Sequence, residues 1–367
     1  MRKIKYIFMI ALLSFCAGCS QRKDNTEDVA TTANLANTTN LANSANPENT
    51  VSPTNVAKTV TAPAIKEKKI ITSEDTYSIE EYDPDGKITK ETFYSSGVAN
   101  RTITYEYDDK GNLITQITVD KDGSQIDFKK NVYDDDGNKI EVIEGDNDKD
   151  ASPKQMYSYK DGLLAYDRYY FVDGDTDYNE YEYNDKGQLI CKKHINEEDG
   201  YVYRTGEYEY DSEGNMTEMR DSMYEHLTVE HYDAAGQKTL EELYYNGDLS
   251  ATEEYKYNDY GLEEWIMHDS DGSLINHTRT KYNSNGLKTA VYSVNDDGSE
   301  VITAIYEYDD AGNLIHRISG RFRLGDYEYT AEYNEYGYLT KMHDVCNDMT
   351  RDAGTYDITE EYEYTYY

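Results

Sequence analysis

From about residue 70 onward the chain alternates between two kinds of position. In the stretch RTITYEYD, Ile103, Tyr105 and Tyr107 share one parity, while Thr102, Thr104 and Glu106 share the other. Period-two alternation of β-branched and aromatic residues predicts a strand with one packed face and one wetter face. Asp108-Asp109-Lys110-Gly111 then breaks the pattern. An Asp caps a turn through its own side chain, and a Gly supplies the positive φ that closes a type I turn with a bulge. Leu113, Ile117 and Val119 begin the return strand. A second turn signal follows about twelve residues later at Asp122-Gly123, and again at Asp173-Gly174, Asp199-Gly200, Asn246-Gly247, Asp271-Gly272 and Asp297-Gly298.

The unit recurs. Aligning each Tyr-[Asp/Asn]-x-x-Gly places the turn glycines at Gly86, Gly111, Gly137, Gly187, Gly214, Gly236, Gly261, Gly286, Gly312 and Gly337, with a shortened copy ending at Gly162. Eleven copies at a period of about 25 residues are an internal repeat, and each copy holds two strands and two tight turns. The expectation is an all-β protein: tandem hairpins in a long antiparallel meander of about 22–24 strands, either an open twisted sheet or a partly coiled shell. Tyr-x-Tyr pairs at 105/107, 157/159, 181/183, 208/210, 255/257, 306/308 and 362/364 should form ladders on one face of that sheet. In an open sheet Cys191 and Cys346, about twelve strands apart, stand about 55–60 Å from each other and cannot bridge.

The N-terminus has another character. Arg2, Lys3 and Lys5 precede an apolar run from Ile7 to Phe15 that is short for a bilayer span, and Ala17-Gly18 precede Cys19. That layout predicts a secretory leader over residues 1–18, and Ala-Gly-Cys resembles a bacterial lipobox. The resemblance implies lipidation at Cys19 and an extracytoplasmic protein, anchored to the outer membrane or the cell surface by acyl chains. Residues 19–68 carry the lipidated Cys and a Thr/Asn/Ala/Pro-rich tether, too poor in apolar side chains to bury a core. Residues 69–367 form the repeat domain. Lys and Arg number 36 against 73 Asp and Glu, a net charge of −37, which repels nucleic acid and favours cationic partners.

Tyr-x-Tyr-Asp-x-x-Gly-Asn-Leu resembles the YD repeat of RHS proteins, teneurins and the shell components of insecticidal toxin complexes. The resemblance spans about residues 75–367, with GNL or a close variant after Gly111, Gly187, Gly214 and Gly312. In that family the hairpins coil into a wide β shell around a toxic polypeptide. The repeats here are longer, fewer, and carry a second turn in mid-unit.

Candidate chemistry is sparse. Asp146-Asn147-Asp148-Lys149-Asp150 begins like an EF-hand loop, but Ala151 and Tyr157 stand where Gly and Glu are required, so no metal is assigned. In EHLTVEH, His226 and His231 are five apart and fall on opposite faces of a strand. No nucleophile elbow or phosphate loop is present, and no catalytic residue or cofactor is assigned. The Tyr-x-Tyr rings read as the packed face. Tyr166, Tyr169, Tyr170, Tyr201, Tyr203, Tyr244 and Tyr245 lie outside those pairs and are the candidates for ligand contact. The function these features suggest is a non-catalytic envelope lipoprotein that binds a glycan or protein on a tyrosine-rich surface. The alternative is an RHS-related accessory that encloses or neutralises a secreted toxin polypeptide.

Overall fold

A computed structural model describes residues 62–171, 174–320, 325–346 and 355–367. The expected leader, Cys19, most of the tether and Asp173 lie outside the described residues. Among the described residues twenty-four strands, β1 to β24, follow one another in chain order, and the first, β1 (Ile65–Ser73), starts slightly ahead of the boundary expected at residue 69.

Every strand pairs antiparallel with its chain neighbours, as β2 (Thr76–Tyr82) does with β3 (Ile88–Ser95), and β3 with β4 (Val98–Tyr107). The last strand, β24 (Tyr356–Tyr366), pairs with β1 through Ile70↔Tyr362 and Lys68↔Tyr364. The meander therefore closes into a barrel. This corrects the expectation of an open sheet: closure leaves no unpaired edge, the state that exposed strand edges otherwise threaten. Cys191 in β11 (Leu189–Asn196) and Cys346 in β23 (Leu339–Cys346) are both free and lie half a circuit apart.

Side chains of paired residues share a face, so register can be followed round the ring. Glu80↔Glu91, Glu91↔Ile103 and Tyr105↔Gln116 start one circuit, and Tyr362↔Ile70 with Ile70↔Ser78 returns to the same face. All seven Tyr-x-Tyr pairs lie on it, but the expected ring ladders do not form: Tyr105 stands opposite Gln116, Tyr157 opposite Asp167, Tyr181 opposite Lys192 and Tyr306 opposite Arg317, because the motif occupies only every second strand. Burial pushes the hydroxyls of Tyr82, Tyr105, Tyr181, Tyr255 and Tyr362 well above the ordinary tyrosine range. A closed ring crowds its concave side, so this desolvated face is the inside.

The wall is one sheet thick. Its most buried apolar residues are small or medium, such as Val142, Val229 and Ala251, and among the described residues no large side chain is fully buried. A collapsed sandwich of this many strands would bury large side chains outright. Twenty-four strands at about 4.8 Å give a width of about 115 Å across the sheet, and with ordinary strand tilt a ring about 45–50 Å across. The inner tyrosines thus line a lumen.

The repeated motif makes two joints. In the turn, Asp108 Oδ1 accepts from the backbone N–H of Lys110 (2.9 Å) and Asn112 (2.7 Å), and Gly111 takes φ = 87°. On the wall, the second tyrosine of five of the seven pairs, Tyr107, Tyr159, Tyr183, Tyr210 and Tyr364, reaches back to the preceding hairpin. Tyr107 donates to the Ile88 carbonyl (2.8 Å), Tyr183 to Leu164 (2.8 Å), Tyr210 to Leu189 (2.9 Å) and Tyr364 to Leu339 (2.7 Å). The lone motif tyrosines Tyr133, Tyr282 and Tyr333 do the same. The carbonyl accepted each time lies just past the bulged turn, where the ladder leaves it free. Tyr183→Phe should therefore cost about 1 kcal/mol, a fall of about 2 °C in thermal midpoint, with secondary structure unchanged. An unaltered midpoint would show that the clasp adds nothing to stability.

The turn glycines Gly86, Gly111, Gly137, Gly162, Gly187, Gly214, Gly236, Gly286, Gly312 and Gly337 all adopt positive φ between 76° and 97°. Gly261 departs from the pattern: Asn258 pairs with it directly across a two-residue turn, and it opens β17 (Gly261–Asp269) at φ = 145°. Leu262 follows it at once, with no residue between as in Gly111-Asn112-Leu113, and the missing residue shortens the loop.

Candidate functional site

Two regions concentrate chemistry, the lumen wall and one mouth of the barrel. On the wall, Glu230, Glu241 and Glu253 are register partners on β14 (His226–Tyr232), β15 (Lys238–Tyr245) and β16 (Asp248–Asn258). Three carboxylates in a row repel. They are held by Lys238, which pairs with Glu230 at 3.2 Å and also with Glu241, by the hydroxyls of Tyr232 on Glu230 and Tyr255 on Glu253 (2.6 Å), and by the indole N–H of Trp265 on Glu253 (2.8 Å). Trp265 is the chain's one tryptophan and faces the lumen as the partner of Tyr255.

Half a circuit away, Glu80 and Glu91 are partners, with Lys68 on Glu80 (3.1 Å). Burial, and then the neighbouring Glu80 charge, hold the Glu91 carboxyl above its ordinary range. Four inner rings have a cation over the face: Lys68 stands 5.8 Å from the Tyr362 centroid, Lys192 5.4 Å from Tyr181, Lys238 4.6 Å from Tyr255, and Lys288 5.8 Å from Tyr306. Rings so covered offer hydroxyls and edges to a ligand rather than open faces.

The mouth is formed by the second turn of each repeat. Of the tyrosines picked from sequence, Tyr201 and Tyr203 meet there, with centroids 5.2 Å apart, and Tyr224 joins them at 6.3 and 6.2 Å. Tyr245 lies on the neighbouring turn, 5.0 Å from His226. The rest disperse. Tyr169 faces the lumen, its hydroxyl raised by burial and by Asp167. Tyr166 meets Tyr178 in a tilted contact at 5.1 Å on the outer wall, Tyr170 donates to Met156 Sδ, and Tyr244 to Glu242 (3.2 Å). Sequence reading missed Trp265, whose inward parity needed the register, and Tyr224, which sits in a turn without glycine.

The acidic turns consume their own carboxylates. Asp108 is bonded by the Asn112 side chain (2.9 Å) as well as by backbone amides, and these bonds hold it below the ordinary range; Asp134, Asp211 and Asp309 repeat the arrangement. Among the described residues no group of His, Cys, Asp and Glu is arranged to hold a metal ion. His226 and His231 do face opposite sides: His231 lies outside, 3.2 Å from Glu242.

The outer wall is charged at mid-height. Glu264 is bonded by Arg279 (2.6 Å) and Lys256 (3.2 Å), Arg220 pairs with Glu218 (2.6 Å), and Lys193 with Glu182 (3.0 Å). A bilayer-spanning barrel needs an apolar outer band about 25 Å tall, and a basic side chain at its centre costs about 2–4 kcal/mol. This wall therefore faces water. Among the described residues no helix is long and apolar enough to cross a membrane.

No known protein family matches the chain, and neither does any curated protein. Among solved structures it is similar over 74% of its length to a chain of the Photorhabdus luminescens Tc holotoxin pore, with 14% identity and a TM-score of 0.39. It is similar over 77% to the TcdB2–TccC3 complex, with 14% identity and a TM-score of 0.35. A porin-like protein from Bacteroides uniformis matches over 83% of this chain and 98% of its own, with 11% identity and a TM-score of 0.25. The chain spans 17% and 20% of the two toxin-complex chains.

Proposed function

We propose that the chain is a non-catalytic binding module, held to the cell envelope through a lipid on Cys19, whose barrel receives a polypeptide segment in its lumen. It is an RHS-related container in this reading. The observation that carries it is ring closure: the Tyr-x-Tyr face lines a lumen instead of lying along an open display surface. A ring about 45–50 Å across, less its inward side chains, leaves room for an extended strand or for a helix of about 10–12 Å. Tyrosine hydroxyls and carboxylates on the wall match the donors and acceptors of a peptide backbone and its basic side chains. Rings covered by lysine disfavour the flat stacking that sugars use, which sets a peptide above a glycan.

Trp265 supplies the test. The chain from Ser20 onward keeps every described residue, and its emission reports one lumenal position. Tryptophan-free synthetic peptides should shift that emission and shield it from acrylamide, whereas maltooligosaccharides should not. If sugar oligomers shift Trp265 and peptides leave it unmoved, the polypeptide reading fails.

A further inference from the structure

Exposed apolar side chains gather at one mouth of the barrel. Val98, Tyr201, Tyr224, Tyr245, Ile275 and Val301 all stand at second turns, and Tyr201 and Tyr224 are 48% and 58% exposed. The chain enters the wall at the other mouth, where Tyr367 reaches the Tyr82 carbonyl, so this one is clear of the point where the tether joins. Tyr224 carries a conformational cost. It sits at φ = 53° in the two-residue turn between the partners Met223 and His226, a backbone region that a bulky side chain rarely adopts. A strained aromatic that nevertheless projects into solvent is a mark of use rather than of folding.

Charge then selects the occupant. The five successive second turns spanning residues 196–201, 222–226, 245–249, 269–273 and 294–299 contain no Lys or Arg. They do contain Glu198, Asp199, Glu225, Asp248, Asp271 and Asp297. An apolar arc set in anionic turns repels a second copy of itself and an anionic lipid surface alike. It complements a segment that is apolar on one side and basic on the other.

We propose that this mouth docks a cationic amphipathic polypeptide. The proposal rests on the polypeptide reading above and deepens it by naming the ligand's chemistry and the mouth it meets first.

The test uses the chain from Ser20 onward and a fluorescein-labelled, tryptophan-free Lys/Leu amphipathic peptide, with anisotropy reporting docking and Trp265 emission reporting the lumen. Glu198→Lys with Glu225→Lys should weaken docking about tenfold or more, as should Tyr201→Ser, while Asp109→Lys with Asp310→Lys at the opposite mouth should change it less than about twofold. Tyr224→Gly should raise the thermal midpoint and yet weaken docking about fivefold, a pairing that a purely structural role does not produce. Equal loss from both mouths would reduce the effect to diffuse charge and overturn the proposal. So would capture by phosphatidylcholine vesicles, or a dimer abolished by Tyr201→Ser, either of which would name another occupant. Docking with Trp265 unmoved would keep the mouth and sink the lumen reading; a Trp265 shift that survives the mouth variants would do the reverse.

Discussion

Raising the pH above about 10 should unfold the barrel in one steep step. The inner tyrosines are held neutral: burial first, then the neighbouring Tyr333 and Tyr366, lift Tyr329 and Tyr364 to about 12, and burial with neighbouring carboxylates lifts Tyr82, Tyr105, Tyr181, Tyr232, Tyr255 and Tyr362 higher still. Their folded pKa values lie above the unfolded one. The stability they contribute is therefore fully present below pH 10 and is lost as the pH rises from there towards the folded values. Each group that ionises only in the unfolded chain removes about 1.4 kcal/mol per pH unit. Several acting together exhaust a total of about 5–15 kcal/mol within about one unit. Tyrosinate absorbance and far-ultraviolet circular dichroism should change together. Tyrosines that titrate gradually around pH 10 while the strand signal persists would show that the lumen face is freely hydrated.

Removing β24, by ending the chain after Cys346, should destroy the monomeric barrel. The first half of that strand, Tyr356–Glu361, pairs with β23, and its second half, Glu361–Tyr366, pairs with β1. Without it two edges lie bare, and each is a template for another chain. Small-angle scattering of the chain from Ser20 onward should fit a compact ring about 50–60 Å in longest dimension, plus a tether. The truncated chain should aggregate, or extend towards the roughly 110 Å of an unrolled sheet. A truncated monomer with the intact chain's scattering curve would mean that β24 is not the closing strand. Deleting a mid-wall hairpin is a milder insult, because its neighbours can pair with each other.

The two mouths differ because the two kinds of turn differ. The Asp-x-x-Gly turns are built from local rules: an Asp that bonds forward to the amides of its own loop, and a Gly in the left-handed region. They were legible from spacing alone, except at Gly261, where one missing residue changes the loop. The second turns are more varied in length: Asp120–Ser124 and Asn295–Ser299 copy the five-residue form, Asn196–Tyr201 is longer, and Met223–His226 is a two-residue turn with no glycine to announce it. Tyr201, Tyr203 and Tyr245 could be singled out as tyrosines outside the Tyr-x-Tyr pairs. Their gathering with Tyr224 could not, since it depends on which strand ends stand side by side.

Strand number, strand order and the common face of the Tyr-x-Tyr pairs followed from sequence alone. Alternation and turn chemistry act over a few residues, and a strict repeat copies each local decision along the chain. Closure followed from nothing local. Ile65–Ser73 and Tyr356–Tyr366 each read as an ordinary strand, and that they pair is settled by the twist and stagger summed over the twenty-two strands between them. That sum also decided which face became the inside. It turned a tyrosine face that could have been displayed to solvent into the lining of a lumen, and it left the charged face to the water.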